Sequence, residues 1–286
     1  MNELENSAQE LEDAIREHLE NNPTSLSEEE IDRIVTEAHQ EIPVNSPTLL
    51  VDDTTSRFSS ATWYEKVQEK TIILAGVGGI GSTLGFLLAR MHPNTIFVYD
   101  NDIVEEANMS GQLYSLDDIG VNKGDALAHM VRKYANYSSM FVINERYTSE
   151  CEPADIMICG FDNMEARKVF FQKWVEHINN KPEKEKANCL FLDGRLAAEE
   201  FQILCIKGDD LYNIDRYQKE YLFTDAEADE TVCSYKQTTF CATMIASYMA
   251  NLFVNFCTNQ CNPIIDRDLP FLTAYNAETM YFKTEA

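Results

Sequence analysis

Apolar residues fall along this chain in short unbroken runs, alternating with stretches of helical period. Ile72, Ile73, Leu74 and Ala75 form the first run, and the glycines Gly76, Gly78, Gly79 and Gly81 follow at once. A second apolar run covers 84–89. A short, wholly apolar run reads as a strand buried on both faces, and its sequel as a glycine turn and a helix packed back on that strand. Runs at 96–99, 140–143, 156–159, 189–192 and 201–205 predict further strands. Segments 122–134, 163–175 and 239–255 carry helical spacing, the last through Met244, Ile245, Tyr248, Met249, Leu252 and Phe253. Strands alternating with helices imply an α/β fold: a doubly wound sheet, parallel with some antiparallel strands, with helices on both faces.

The pattern changes at two places. Over residues 1–45 two apolar stripes, Leu4–Ala8–Leu11–Ile15–Leu19 and Ile31–Ile34–Val35–Ala38–Ile42, flank Pro23. Ser27 with Glu30 makes a capping box and Leu26 with Ile31 a hydrophobic staple, so the stretch reads as an acidic helical hairpin. A docked arm or dimer contact is the simpler reading of it, and a recruitment module for a partner the functional one. Residues 46–286 then form the main domain, entered through a connector with Arg57, Phe58 and Trp63. Over 208–232 the chain is polar, acidic and tyrosine-rich without periodicity. It reads as a long crossover loop, about 206–238, of the kind that tends to be functional. A last strand is expected near 279–282.

Charge narrows the partners. With 23 basic against 48 acidic residues the net charge is −25, which repels nucleic acid and anionic membranes. No apolar stretch stands out as long enough to span a bilayer, and the N-terminus lacks a secretory h-region. Eight cysteines without framework spacing are then expected as reduced thiols of a cytoplasmic protein.

The candidate chemistry sits at strand ends. A glycine turn after a strand points backbone N–H groups and a helix N-terminus at one spot, which suits a phosphate. Asp100 closes the next strand 24 residues after Gly76, close to the interval at which an acidic residue takes ribose hydroxyls in Rossmann-like sheets. Asp102 follows it. Asp162, in CGFDN after a later strand, is placed to hold Mg²⁺, a hard cation that wants carboxylates and phosphate oxygens. Lys123 would neutralise phosphate, and Asn108 would hydrogen-bond the phosphate or its attacking group.

In this order the motifs resemble the ubiquitin-activating-enzyme-like adenylating enzymes typified by ThiF and MoeB, over roughly residues 57–255. GVGGIG resembles that family's glycine loop, YDNDIVEEAN its aspartate–asparagine stretch, and FDNMEAR its metal-aspartate motif, with Arg167 the trailing arginine. VCSYKQTTFCATMIASYMANLF resembles the segment with the thioester or sulfur-carrier cysteine, which places Cys233 at that position. The resemblance implies an ATP- and Mg²⁺-dependent adenylyltransferase acting as a homodimer. Its substrate would be the C-terminal tail of a ubiquitin-like or sulfur-carrier protein. Asp100 would hold the ribose, Asp162 the metal, and Asn108 and Lys123 would line the phosphate path. Cys233 would be either acyl acceptor or passive thiol.

Departures from the pattern leave rivals open. Arginines usual in the family are replaced by Ser60 and Gly111, so Arg57, Arg146 or Arg195 would have to substitute, or the chain is a catalytically impaired nucleotide-binding scaffold. Adenylation of a peptide C-terminus, gripped by the N-terminal hairpin, is a close variant. A nicotinamide oxidoreductase rests only on GVGGIG and Asp100. Cys257 and Cys261 have no second pair beside them, so no four-cysteine zinc site is expected. They read as neighbouring buried thiols, and Cys241 as core. The histidines show no ligand spacing. Asp193, Gly194 and Arg195 read as a strand-end turn or as part of the channel for the incoming tail.

Overall fold

The computed structural model describes residues 53–223, 237–262 and 265–286. The hairpin expected over 1–45 and Cys233 lie outside the described residues.

Strand β1 (Thr71–Ala75) is the centre of the sheet's five parallel strands. It pairs in parallel with β2 (Thr95–Tyr99) on one side and β4 (Ile156–Cys159) on the other, so Ile72 lies between Ile96 and Ile156. Beyond β2 lies β3 (Met140–Ile143), and beyond β4 lies β5 (Leu190–Ala197), both parallel. Three antiparallel strands finish the sheet: β6 (Glu200–Lys207), β7 (Leu272–Asn276) and β8 (Tyr281–Glu285). The order is β3-β2-β1-β4-β5-β6-β7-β8. β6 reverses direction because only Ala198 and Glu199 separate it from β5, and so short a link can close only a hairpin.

The helices are α1 (Tyr64–Gln68), α2 (Gly79–Ala89), α3 (Lys123–Ala135), α4 (Met164–Asn179), α5 (Glu183–Lys186), α6 (Leu211–Arg216) and α7 (Thr239–Thr258). Alternation along β1 divides the core between the two faces of the sheet. Ile72 and Leu74 join Leu84, Leu127, Val131, Met249 and Phe253 of α2, α3 and α7. Ile73 and Ala75 join Phe170, Phe171 and Trp174 of α4. This is the Rossmann-like, doubly wound α/β architecture that the hydrophobic runs imply. Caps set the helix limits: the Asn122 carboxamide accepts from Gly124 N–H to start α3, and Asn136 stops it in the left-handed region at φ 51°.

Three expectations change. Part of the polar stretch after β6 is helical: Leu211–Arg216 runs into a π-type turn, Tyr217–Tyr221. Ile214 and Tyr217 are buried, but two turns are too short to show a period. The C-terminal tail holds a hairpin, β7 and β8, rather than one strand. Finally, α7 is by length and composition apolar enough to cross a membrane, contrary to the sequence-level expectation. Here it is a core helix: Ile245, Met249 and Phe253 are fully buried, and it packs on α2, β5 and β6.

The chain leaves β1 towards β2 and β3, then returns to β4 on the other side. The topological switch point therefore lies between β1 and β4, and their C-terminal ends open the crevice in which such sheets bind ligands.

Candidate functional site

The crevice is built on the turn between β1 and α2. Gly76 takes φ +83°, a backbone state that side chains resist, and a Cβ there would lie 3.0 Å from Gly160 O at the end of β4. Its N–H donates to Tyr99 O at 2.9 Å, and Gly160 N–H donates to Ala75 O at 3.0 Å, so the ends of β1, β2 and β4 are drawn together. The turn is tightest at Gly81, where a Cβ would fall 1.9 Å from the Gly76 carbonyl oxygen. The N-cap of α2 is Gly78, which brings no capping side chain, and no acidic residue stands in the first turn. The first N–H groups of α2 are thus left to an anion. Gly81→Ala is expected to force the turn open, since a backbone oxygen cannot rotate away. A displacement of about 1 Å costs on the order of 100-fold in rate, to be read as nucleotide turnover against wild type. Turnover unchanged by that variant would remove the loop from the site.

Asp100 ties this turn to the next strand. Its Oδ2 accepts from Val77 N–H at 2.8 Å and its Oδ1 from Asp102 N–H at 2.8 Å. Burial pushes the carboxyl above its usual range, against the pull of those two N–H groups and of Lys123. Lys123 opens α3 and is buried, with Nζ 2.9 Å from Asp102 and its backbone N–H on Asp102 O at 2.9 Å. The structure thus gathers Gly76, Gly78, Gly79, Gly81, Asp100, Asp102 and Lys123 into one cluster. Lys123 is paired with Asp102 within it, not a lone charge.

Two neighbours went unseen in the sequence. The Tyr114 hydroxyl donates to Val77 O at 2.5 Å, and burial, followed by nearby Asp100, raises its pKa well above the ordinary tyrosine value. Gln112 Oε1 is buried without a hydrogen-bond partner, and Gln112 Nε2 would lie 3.8 Å from a Cβ on Gly78. Neither residue type marks a nucleotide site, so no local signal pointed to them.

Asn108 lies in the 3₁₀ turn Glu106–Ser110, where its Oδ1 accepts from Glu105 N–H at 2.9 Å. Its carboxamide oxygen thus closes that turn. Asp162 is exposed just beyond β4, next to the N-cap Asn163, whose Nδ2 donates to it at 3.2 Å. An exposed carboxylate at the crevice, together with the uncapped N-terminus of α2, fits a Mg²⁺–nucleotide. The glycine cradle and Asp100 fit its phosphates and ribose.

Asp193 and Arg195 are a correction. They are no strand-end turn, because β5 runs on to Ala197 and Asp193 is 0% exposed. Asp193 Oδ1 accepts from Arg167 and, at 3.1 Å, from the Cys159 thiol. Its Oδ2 accepts from Arg195 Nε at 2.7 Å and from the Tyr217 hydroxyl at 2.9 Å. Burial would raise the carboxyl, but Arg167 and Arg195 outweigh it and hold it below the usual range. Arg167 also donates to Phe161 O, the residue before Asp162, so this buried knot fixes the loop that carries Asp162. Arg195 spends its remaining contacts on Tyr221 O, at 2.8 Å, and on the rings of Tyr217, Tyr221 and Phe223. It is therefore not the substitute phosphate arginine. Arg57 is exposed, and Arg146 reaches Asn101 Oδ1 at 3.3 Å, beside the Asp100 segment.

Elsewhere, Cys241 and Cys257 are buried on α7, and Cys261 beyond it donates to Thr62 O at 3.2 Å. Asp155, His177 and Cys189 come together at the opposite end of β4 and β5, although no ligand spacing joins them in sequence. His177 Nε2 and Lys181 Nζ lie 2.7 and 2.8 Å from the same Asp155 oxygen, so a hydrogen bond from His177 and an ion pair with Lys181 account for the group. A cavity of about 450 Å³ beside Phe171 and another of about 580 Å³ beside Phe256 are lined by neither the glycine loop nor Asp100.

The chain has relatives of known fold and name. The ThiF family model matches residues 53–284. Ubiquitin-like modifier-activating enzyme 5 of Drosophila willistoni is 30% identical over 134 residues, which is 41% of this chain and 33% of that protein. The same enzyme of Drosophila mojavensis is 27% identical over 161 residues, 50% of this chain and 39% of that protein. The matched region thus spans little more than a third of those relatives. Among solved structures, PaaA superposes with a TM-score of 0.62 at 14% identity, covering 91% of this chain and 83% of PaaA. MccB of E. coli, solved with ATP, gives 0.56 at 15% identity, covering 95% and 81%.

Proposed function

This chain belongs to the ThiF family, and from that premise we propose that it is an ATP-dependent adenylyltransferase acting on the C-terminal carboxylate of a ubiquitin-like or sulfur-carrier protein. The observation that carries the reading is the convergence of the uncapped α2 N-terminus, Asp100 and Lys123 at the switch point of the sheet.

In the proposed reaction a carboxylate oxygen attacks the α-phosphorus of ATP. The bond from that phosphorus to the bridging oxygen breaks, and pyrophosphate leaves with the electron pair. Such a step needs positioning and charge more than covalent help from the protein. The N–H groups of Gly79 to Gly81 would seat phosphate oxygens, and Asp100 would take the ribose. Lys123 would exchange Asp102 for phosphate, and Asn108 would offer its amide N–H to the attacking side. Asp162 would hold Mg²⁺, which supplies positive charge to the departing pyrophosphate. Cys233 is the proposed acceptor onward: its thiolate attacks the acyl carbon and AMP leaves.

The named relatives support a ubiquitin-like substrate. MccB, solved with MccA as well as with ATP, motivates the variant in which the tail belongs to a peptide. The described cysteines are free thiols, in keeping with a reducing, cytoplasmic setting, and a homodimer completes the proposal. The test is ATP–pyrophosphate exchange with purified carriers and leader peptides. Carrier-dependent exchange is expected. Cys233→Ala should keep it while losing any thiol-sensitive conjugate. ATP binding with no exchange for any carrier would leave the scaffold reading, which the residues Ser60 and Gly111 motivate.

A further inference from the structure

One side chain reaches the phosphate cradle from the far end of the sequence. Gln237 stands two residues before α7, where an isolated parallel bridge pairs it with Ala198 after β5. A Cβ placed on Gly79, the first residue of α2, would lie 2.0 Å from Gln237 Oε1 and 2.9 Å from Nε2. A Cβ on Gly111 would lie 2.8 Å from Gln237 Nε2 and 3.0 Å from its Cγ. The carboxamide is therefore seated between two glycines, one at the N–H end of α2 and one closing the turn that carries Asn108, and it fits because neither has a side chain. The backbone around it is pinned as well: Thr239 donates its hydroxyl to Ser110 O, and Thr238 donates to Ala198 O at 3.5 Å.

We propose that Gln237 is a phosphate-contacting residue of the nucleotide site, its amide N–H₂ adding a neutral donor to the backbone N–H groups of α2. An anion seated on Gly79–Gly81 meets this carboxamide first. The amide's two ends are nearly isosteric, so a half-turn presents Nε2 to the anion without displacing either glycine. The segment at the start of α7 and the turn after β1 then hold one ligand between them. The proposal rests on the adenylation reading, since it needs ATP as the occupant.

The experiment measures the Kd of the full chain for ATP and for adenosine, in wild type, Gln237→Met and Gln237→Glu, with thermal melts as a check on folding. Methionine keeps the length without a donor; glutamate keeps the shape and adds a negative charge. A hydrogen bond to a charged group governs on the order of tenfold or more in affinity. ATP binding is thus expected to weaken about tenfold for Met and further for Glu, with adenosine binding unchanged. A merely structural role would weaken both ligands together, and that result overturns the proposal. Unchanged ATP binding in both variants overturns it too, as does tighter binding, which would make Gln237 an obstruction. Wild-type protein that binds no ATP overturns this proposal and the adenylation reading together. Wild-type binding with indifferent variants overturns this one alone.

Discussion

Asp193→Ala should lower the stability of the fold by about 3–5 kcal/mol, because it strands two arginines that share one fully buried carboxylate. For a domain of this size that is a fall in melting temperature of roughly 10 °C, read in a thermal or denaturant melt. Arg167 loses its anchor as well as its counter-charge, so the loop from Phe161 to Asp162 should loosen with it. Replacing carboxylate and arginine together, as in Asp193→Leu with Arg167→Met, should cost less than the single change, since only Arg195, rather than both arginines, is then left without its counter-charge. A single variant within about 1 kcal/mol of wild type would show that the knot is not a structural anchor. The sign with pH follows from the direction of the shift. A carboxyl held below its ordinary value contributes its full stability above the unfolded value of about 4 and loses it as pH falls through the lower, folded value. Acid should therefore unfold wild type more steeply than the Leu/Met double variant.

Asp162→Ala is expected to cut ATP–pyrophosphate exchange by about a thousandfold, equivalent to about 4 kcal/mol of transition-state stabilisation, if Asp162 holds the metal on the phosphates. The fold should survive, because Asp162 is exposed and its hydrogen bond from Asn163 is a surface contact. Asp162→Asn keeps the shape and one oxygen and should fall between. Manganese binding followed by electron paramagnetic resonance, with ATP present, gives a readout independent of turnover: the variant should bind the ion more weakly. Exchange that persists within about tenfold of wild type would move the metal away from Asp162. The two variants also separate two roles. Asp193→Ala should depress exchange and melting temperature together, whereas Asp162→Ala should depress exchange alone.

Much of this site could be read along the chain, and the reasons differ by residue. The run 72–75 is apolar at every position because β1 has a strand on each side and a helical layer on each face. That demand is written in consecutive residues. Gly76 and Gly81 stand out because the turn admits no Cβ, again a local demand. Asp100 was legible because one short strand–helix–strand unit fixes how far the next strand end lies from the turn. Arg195 misled for the opposite reason. At the level of sequence it was a free cation near a strand end. Its contacts with Tyr217 and Tyr221 come from the fold alone, and its pairing with Asp193, two positions away, needs β5 to run on past residue 192. The helix at Leu211–Arg216 and the turn after it were hidden because their buried residues, Ile214 and Tyr217, belong to a core supplied by α4 and β5.

The sequence by itself determined the doubly wound sheet, the glycine turn after β1, the positions of Asp100 and Asp162 at strand ends, and that of Lys123 in the first turn of a helix. Periodicity, caps and missing Cβ atoms act over a few residues, so they can be read without the fold. Only the tertiary structure decided that Asp102 pairs with Lys123, that Asp193 buries the charges of Arg167 and Arg195, and that Gln237 lies between Gly79 and Gly111. Apart from Asp193 and Arg195, two positions apart on β5, those contacts join residues tens to more than a hundred positions apart. Their energies depend on burial and on distances that no local pattern encodes.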